Sequence, residues 1–162
     1  MTQAQQQAMQ ASHPLPGEGV DFPTSYVPTE AETYMSEKQL AYFKGLLLDW
    51  RQQLEKELAE TLEELQASST SADLNDTATN EYEQEVALRT RDRERKLIMK
   101  INEALGRIKN SQNPDYDGDD LFGYCEETGD PIGIPRLLAR PIATLSIEAK
   151  RVQEKQEKGY AG

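Results

Sequence analysis

Apolar residues recur along the middle of the chain in steps of three and four. They fall at Leu40, Phe43, Leu47, Trp50 and Leu54, and continue at Leu58, Leu62 and Leu65. Such alternation is the seam of a coiled coil. The step from Leu54 to Leu58 repeats a four and predicts local unwinding of the supercoil. Ser36-Glu-Lys-Gln39 fits a capping box and starts the first helix. Ala67-Ser-Ser-Thr-Ser71 ends it near Gln66. A second helix starts near Asp76, a suitable N-cap, with apolar positions Tyr82, Val86, Leu97, Ile101, Leu105 and Ile108. It ends between Asn110 and Pro114. Two helices of about 30 residues joined by a short turn must pair antiparallel, each about 45 Å long.

The flanks read differently. Residues 1–34 have no Lys or Arg, carry Pro14, Pro16, Pro23 and Pro28, and open on a Gln-rich run. That composition predicts a flexible tail. The lone His13 within it cannot build a metal site or a triad by itself. Residues 113–141 are punctuated by glycine and proline, which forbids long regular elements. In residues 142–162 an amphipathic helix is expected from about Thr144 to Lys158, with Leu145, Ala149 and Val152 against the preceding module. The predicted fold is therefore mainly α. A coiled-coil hairpin over 35–112, its tip at 67–79, is joined to a small globular module and a C-terminal helix.

Composition narrows the function classes. The 162-residue chain is 36% hydrophobic and 29% charged, which suits a solvated hairpin better than a large core. A net charge of −11 argues against direct DNA binding and against membrane-surface binding. No apolar run approaches the ~20 residues that span a bilayer. The start lacks the basic and apolar segments of a signal peptide, so a cytoplasmic location is expected. The single Cys125 cannot form an intrachain disulfide. The one basic concentration is Arg89, Arg91, Arg93, Arg95 and Lys96, against only Asp92 and Glu94. It reads either as a solvated face or as a docking stripe for an acidic surface. Asp115, Asp117, Asp119 and Glu126 partly match a calcium loop, but Asp120 occupies the place that needs glycine.

Three stretches carry a resemblance. They are Tyr34-Met-Ser-Glu-Lys-Gln-Leu-Ala-Tyr-Phe43 with Trp50-Arg51; Asp73-x-x-Asp76-x-Ala78 with Leu88-Arg-Thr-Arg-Asp-Arg-Glu-Arg-Lys-Leu-Ile98; and Phe122-Gly-Tyr-Cys125, Ile132-Gly-Ile134, Arg136-Leu137, Ala139-Arg-Pro141 and Ala161-Gly162. In this order and spacing they resemble the DksA family of RNA polymerase regulators, over residues 33–162. The resemblance implies a non-enzymatic partner of RNA polymerase, and a monomer is expected because the hairpin can pair its own helices. Its coiled coil would enter the secondary channel and act near the catalytic magnesium through Asp73, Asp76 and Ala78. Arg89, Arg91 and Arg93 would support docking. The alarmone ppGpp would be a co-effector, bound through Lys100, Arg140 and Lys150 at the shared interface. Typical members hold zinc with two Cys-x-x-Cys pairs, and the matching positions here are Cys125, Thr128, Ser146 and Ala149. Three of these lack thiols, so no zinc is expected and the module reads as a degenerate zinc finger. Two alternatives stand beside this reading: a coiled-coil adaptor that never meets polymerase, and a Gre-like transcript-cleavage factor.

Overall fold

The computed structural model describes residues 25–71 and 77–161. Four helices follow in order: α1 (Glu37–Ser71), α2 (Thr77–Gln112), α3 (Ile134–Ala139) and α4 (Ile147–Ala161). The chain divides into two compact units, residues 48–102 forming one, and residues 1–47 with 103–162 the other.

In the 48–102 unit the two long helices run antiparallel. Arg51 Nη1 donates to Asn102 Oδ1 at 2.8 Å, and Arg91 Nη1 to the Leu58 carbonyl at 3.4 Å. Further along α1, Thr61, Glu64 and Leu65 share a shallow cleft with Glu83, Gln84 and Ala87. Advancing along α1 thus means retreating along α2. With Trp50, Leu97 and the buried Ala104 beside it, the seam is traced by buried and half-buried positions spaced by fours and threes. On α1 they are Leu47, Arg51, Leu54, Leu58, Thr61 and Leu65; on α2 they are Asn80, Gln84, Ala87, Arg91, Glu94, Ile98, Ile101, Leu105 and Ile108. Both series keep strict steps of four and three.

This register corrects the sequence expectation at several positions. Leu62 is 44% exposed and Thr61 takes its seam place. With Arg51 in the seam the step to Leu54 is a three, so the four at Leu54–Leu58 is not a repeat and no unwinding is needed. Tyr82 and Val86 point outward at 67% and 44% exposure. Arg51 joins Trp50 as a half-buried residue. Apolar identity misled because the tip-side seam of α2 is polar from Asn80 to Glu94.

The other unit holds the denser core. Phe43 and Leu47 of α1 and Ile108 of α2 are buried with Phe122, Leu137, Ile142 and Leu145. The Phe43 and Phe122 rings pack at 5.5 Å. A minimal turn structure carries Cys125: Tyr124 bridges Pro131, Ile132 N–H donates to the Gly123 carbonyl, and Cys125 N–H donates to the Asp130 carbonyl, both at 2.8 Å. Gly129 closes it at φ +76, a left-handed conformation costly for other residues. Its N–H donates to the Cys125 carbonyl at 2.8 Å. At Gly123, also at positive φ, an added Cβ would come within 2.9 Å of the Met35 side chain.

Residues 25–34, assigned to the tail from composition, are folded in this unit. Tyr26 Oη donates to Glu32 Oε1 at 2.9 Å and its ring meets Tyr42 edge-on at 6.0 Å. The Lys38 ammonium lies 4.2 Å from the Tyr26 ring centre. Ser36 caps α1 by accepting from Gln39 N–H at 3.3 Å. The return half of the capping box is shifted by one residue, because Gln39 Oε1 accepts from Met35 N–H at 2.7 Å. Fully buried, Gln39 also donates to the Thr29 carbonyl and so ties the segment to the helix start. The expected C-terminal helix is present, beginning at Ile147 rather than near Thr144. Leu145 and Ala149 are buried as expected, whereas Val152 is 54% exposed.

Candidate functional site

Asp73 and Asp76 lie outside the described residues, in the five-residue link between Ser71 and Thr77. Ala78 is in the first turn of α2, and its side chain is also outside them. The helices that bracket the link are therefore what the structure contributes to the tip.

The arginine run separates once it is wound on a helix. Residues two apart point about 200° apart, whereas steps of four, three and four stay on one side. Arg89, Arg93, Lys96 and Lys100 consequently share the outer face of α2, and all four are exposed. Arg89 pairs with Glu85 at 2.6 Å. Among the described residues Arg93, Lys96 and Lys100 form no ion pair. Arg91 departs from the expected docking set. It is 8% exposed and turned inward against the Leu58 carbonyl, so it joins α1 to α2 instead of facing a partner. Every-second-residue spacing in the sequence gave no hint of which arginine would turn in; the heptad register does.

The three residues matched to an effector site fall in different units. Lys100 belongs to the 48–102 unit, and Arg140 and Lys150 to the other. Arg140 is exposed at the C-cap of α3. Lys150 is half-buried in the first turn of α4, and its Nζ donates to Gln153 Oε1 at 3.3 Å.

Cys125, Thr128 and Ser146 are brought together. The Cys125 side chain is buried, which opposes ionisation. The Thr128 hydroxyl and the backbone N–H groups of Ser146, Thr128 and Glu127 hydrogen-bond to the sulfur and outweigh that, pulling the thiol down to about 7. Ser146 Oγ accepts from Ala149 N–H at 3.2 Å and so caps α4. A small hydrogen-bonded knot thus surrounds one thiol.

Two further supports were missed by sequence reading. Tyr34 Oη donates to the Gly123 carbonyl at 2.5 Å and accepts from Gly133 N–H at 3.0 Å, staking both ends of the turn structure to the segment before α1. Only its position just ahead of a helix cap could have signalled it. Arg107 holds Asp120 at 2.8 Å and Glu126 at 3.9 Å. Two of the carboxylates around the calcium-like segment are thus engaged by a cation. Among the described residues no group of three His, Cys, Asp or Glu side chains could hold a metal ion.

Comparison with known proteins finds two matched regions in the chain. Residues 39–108 match the family model "DnaK suppressor protein DksA, N-terminal domain", and residues 121–155 match "Prokaryotic dksA/traR C4-type zinc finger". The RNA polymerase-binding transcription factor DksA of Caulobacter vibrioides is 46% identical over 136 residues, covering 83% of this chain and 89% of that protein. The chain belongs to the DksA family. The factor of the same name from Escherichia coli is 43% identical over 138 residues, 85% of each chain. The solved structure of transcription factor DksA2 from Pseudomonas aeruginosa matches with a TM-score of 0.70 at 43% identity, over 81% of this chain and 93% of that one. Within the DksA family the second matched region is described as a four-cysteine zinc finger, and this chain does not fit that metal there. A structural zinc site needs four good donors. The matching positions offer one thiol, two hydroxyls and a methyl group, and the hydroxyls are already used within the knot.

Proposed function

We propose that this protein is a transcription regulator that binds RNA polymerase, enters the secondary channel with its hairpin, and modulates initiation without cleaving any substrate bond. The observation that carries the reading is the 43–46% identity to polymerase-binding DksA factors across both units. The antiparallel hairpin is consistent with it. In this reading Asp73, Asp76 and Ala78 act near the catalytic magnesium. A carboxylate there biases a two-state polymerase conformation through charge-assisted hydrogen bonds. Shifting open-complex stability by about 1–2 kcal/mol changes initiation severalfold at promoters with short-lived complexes, such as those of ribosomal RNA. Arg89 and Arg93 supply docking charge on the outer face of α2. Arg91 supports the hairpin from within. Lys100, Arg140 and Lys150 hold ppGpp at the interface with polymerase, where Lys and Arg suit diphosphate groups. The protein works as a monomer in the cytoplasm, does not read DNA sequence, and folds without zinc.

Transcription in vitro from a ribosomal RNA promoter, with and without ppGpp, tests this. Asp76→Asn is expected to keep polymerase affinity and lose the effect on initiation. Absence of polymerase binding by the wild-type protein would favour a coiled-coil adaptor instead. Chelator treatment is expected to leave the melting temperature unchanged, and a fall would show that the module does depend on a metal.

A further inference from the structure

The exposed large apolar side chains of the 48–102 unit, among the described residues, fall into two sets. Tyr82 and Val86 lie on the outer face of α2, in line with Arg89, Arg93, Lys96 and Lys100 by steps of four and three. Leu48, Leu62, Leu88 and Met99, exposed by 38%, 44%, 54% and 63%, lie elsewhere. On α1, Leu48, Glu55 and Leu62 are seven residues apart and share one side of the helix. On α2, Leu88, Asp92, Arg95 and Met99 follow in steps of four, three and four and also share one side. Arg51 shows that both sides belong to the same flank of the hairpin. It follows Leu48 by three and precedes Glu55 by four, with its Nε 4.0 Å from the Glu55 carboxylate. It also donates across the seam at 2.8 Å to Asn102, three residues beyond Met99.

This flank is symmetrical in level and in charge. Leu48 and Leu62 are centred on position 55, and Leu88 and Met99 between 93 and 94. In the register that sets Leu58 against Arg91, position 55 of α1 is level with position 94 of α2. One level therefore bisects both apolar pairs. Between the apolar ends lie Arg51 and Arg95 with Glu55 and Asp92, two charges of each sign. A second copy laid on the flank about a two-fold axis at that level runs the opposite way. Leu88 then meets Met99 and Asp92 meets Arg95, in both directions. Leu48 meets Leu62 likewise, and each Arg51 comes within a helical turn of the other copy's Glu55. An isologous contact needs a surface complementary to itself. A chain of net charge −11 sets like charges against its own copy over most of its surface, whereas these four charges cancel.

We propose that this flank pairs two copies of the chain antiparallel, Leu88 on Met99 and Asp92 on Arg95, as a reserve form that parts before a hairpin engages RNA polymerase. The parting rests on the polymerase reading above; the pairing does not. A patch roughly 20 Å long and two helices wide covers about half the ~800 Å² per partner of a standard interface, so the pairing is weak and reversible. Sedimentation of the full chain from low micromolar to near-millimolar concentration tests it. Wild type is expected to move from monomer to dimer mass across that range. Glutamine keeps helix propensity, so Leu88→Gln/Met99→Gln should retain the helical signal while dissociating about tenfold more readily. Arg95→Asp puts like charges opposite each other and should weaken pairing as well. Asp92→Arg/Arg95→Asp exchanges the two charges and should restore it. Tyr82→Gln/Val86→Gln, on the outer face, should pair as wild type does. A wild type that stays monomeric throughout would overturn the inference. So would a Leu88→Gln/Met99→Gln variant that pairs as wild type does, or an exchange variant that pairs no better than Arg95→Asp alone. No polymerase is present in these measurements, so each outcome leaves the polymerase reading as it stands.

Discussion

The two units are held together by different means. In the unit of residues 1–47 and 103–162, Phe43, Leu47, Ile108, Phe122 and Leu137 are each less than 2% exposed and form one core with contributions from many chain segments. In the 48–102 unit, among the described residues, only Leu54, Ile101 and Arg91 are buried. Its helices must rely on their own hydrogen bonds and on a thin seam. Isolated helices gain little from propensity alone and usually depend on tertiary packing. The start of α1 and the end of α2 both belong to the densely packed unit. Core formation there fixes two chain ends side by side and lowers the entropy cost of zipping the rest. A long hairpin with a sparse, partly polar seam can exist because its base is clamped.

Deleting the clamp should therefore do the most damage. Phe122→Ala removes a side chain that is 2% exposed and packed on Phe43. It is expected to cost about 3–5 kcal/mol, read as a lower urea midpoint, with helical signal lost from the hairpin as well. Retention of full hairpin helicity after the module melts would break the proposed dependence. Next come two leucines that a simple apolar repeat treats alike. Leu54→Ala should cost about 2–4 kcal/mol because Leu54 is buried. Leu62→Ala should fall within about 0.5 kcal/mol of wild type because its side chain is outside the seam. Comparable losses for both would restore the register with Leu62 inside. Tyr34→Phe keeps the ring against Tyr124, at 5.5 Å, and deletes only the hydroxyl that bridges Gly123 and Gly133. About 1–3 kcal/mol should be lost, because a carbonyl and an amide are left unpaired. No change in thermal midpoint would mean water replaces the hydroxyl at no cost.

The same contrast explains what could be read from sequence. The start of the first helix and the antiparallel pairing were legible because periodicity and caps are local, as at Ser36 and Gln39. By contrast, α1 runs on to Ser71, past the expected end near Gln66, because the small residues 67–71 do not by themselves stop a helix. The seam was legible where it is apolar, at Ile101, Leu105 and Ile108, was set one residue early at Leu97 instead of Ile98, and was misread where Arg91 and Glu94 fill it. Polar residues carry no periodic hydrophobic signal, so Tyr82 and Val86 were drawn in by default. The module resisted reading for another reason. Tyr34 meets Gly123 and Gly133 across 89 and 99 positions, and no local pattern encodes a contact that distant. Cys125, Thr128 and Ser146 were paired by resemblance alone, and the structure sets them side by side. Their hydrogen-bonded arrangement around the thiol was not foreseeable from residue types suited to no metal.

The smallest effect concerns the segment before α1, where composition suggested a loose tail. Glu32 accepts hydrogen bonds from Thr29 N–H at 2.8 Å, from the Thr29 hydroxyl at 3.2 Å and from Tyr26 Oη at 2.9 Å. The bond from the Thr29 backbone does most to hold its carboxyl below the usual glutamate range. A group whose folded pKa is depressed favours the folded state above its unfolded pKa. That contribution disappears as pH falls through the folded value. Wild type should therefore lose slightly more stability than Glu32→Gln on acidification from neutral pH to below the glutamate range. Urea midpoints of the two proteins across that interval measure the difference, which solvent screening keeps small. A gap that stays constant with pH would mean that the segment is held by its neutral contacts alone, such as Tyr26 on Tyr42 and Gln39 on Thr29. A gap that closes towards acid would show that the ionised carboxylate helps to fasten it.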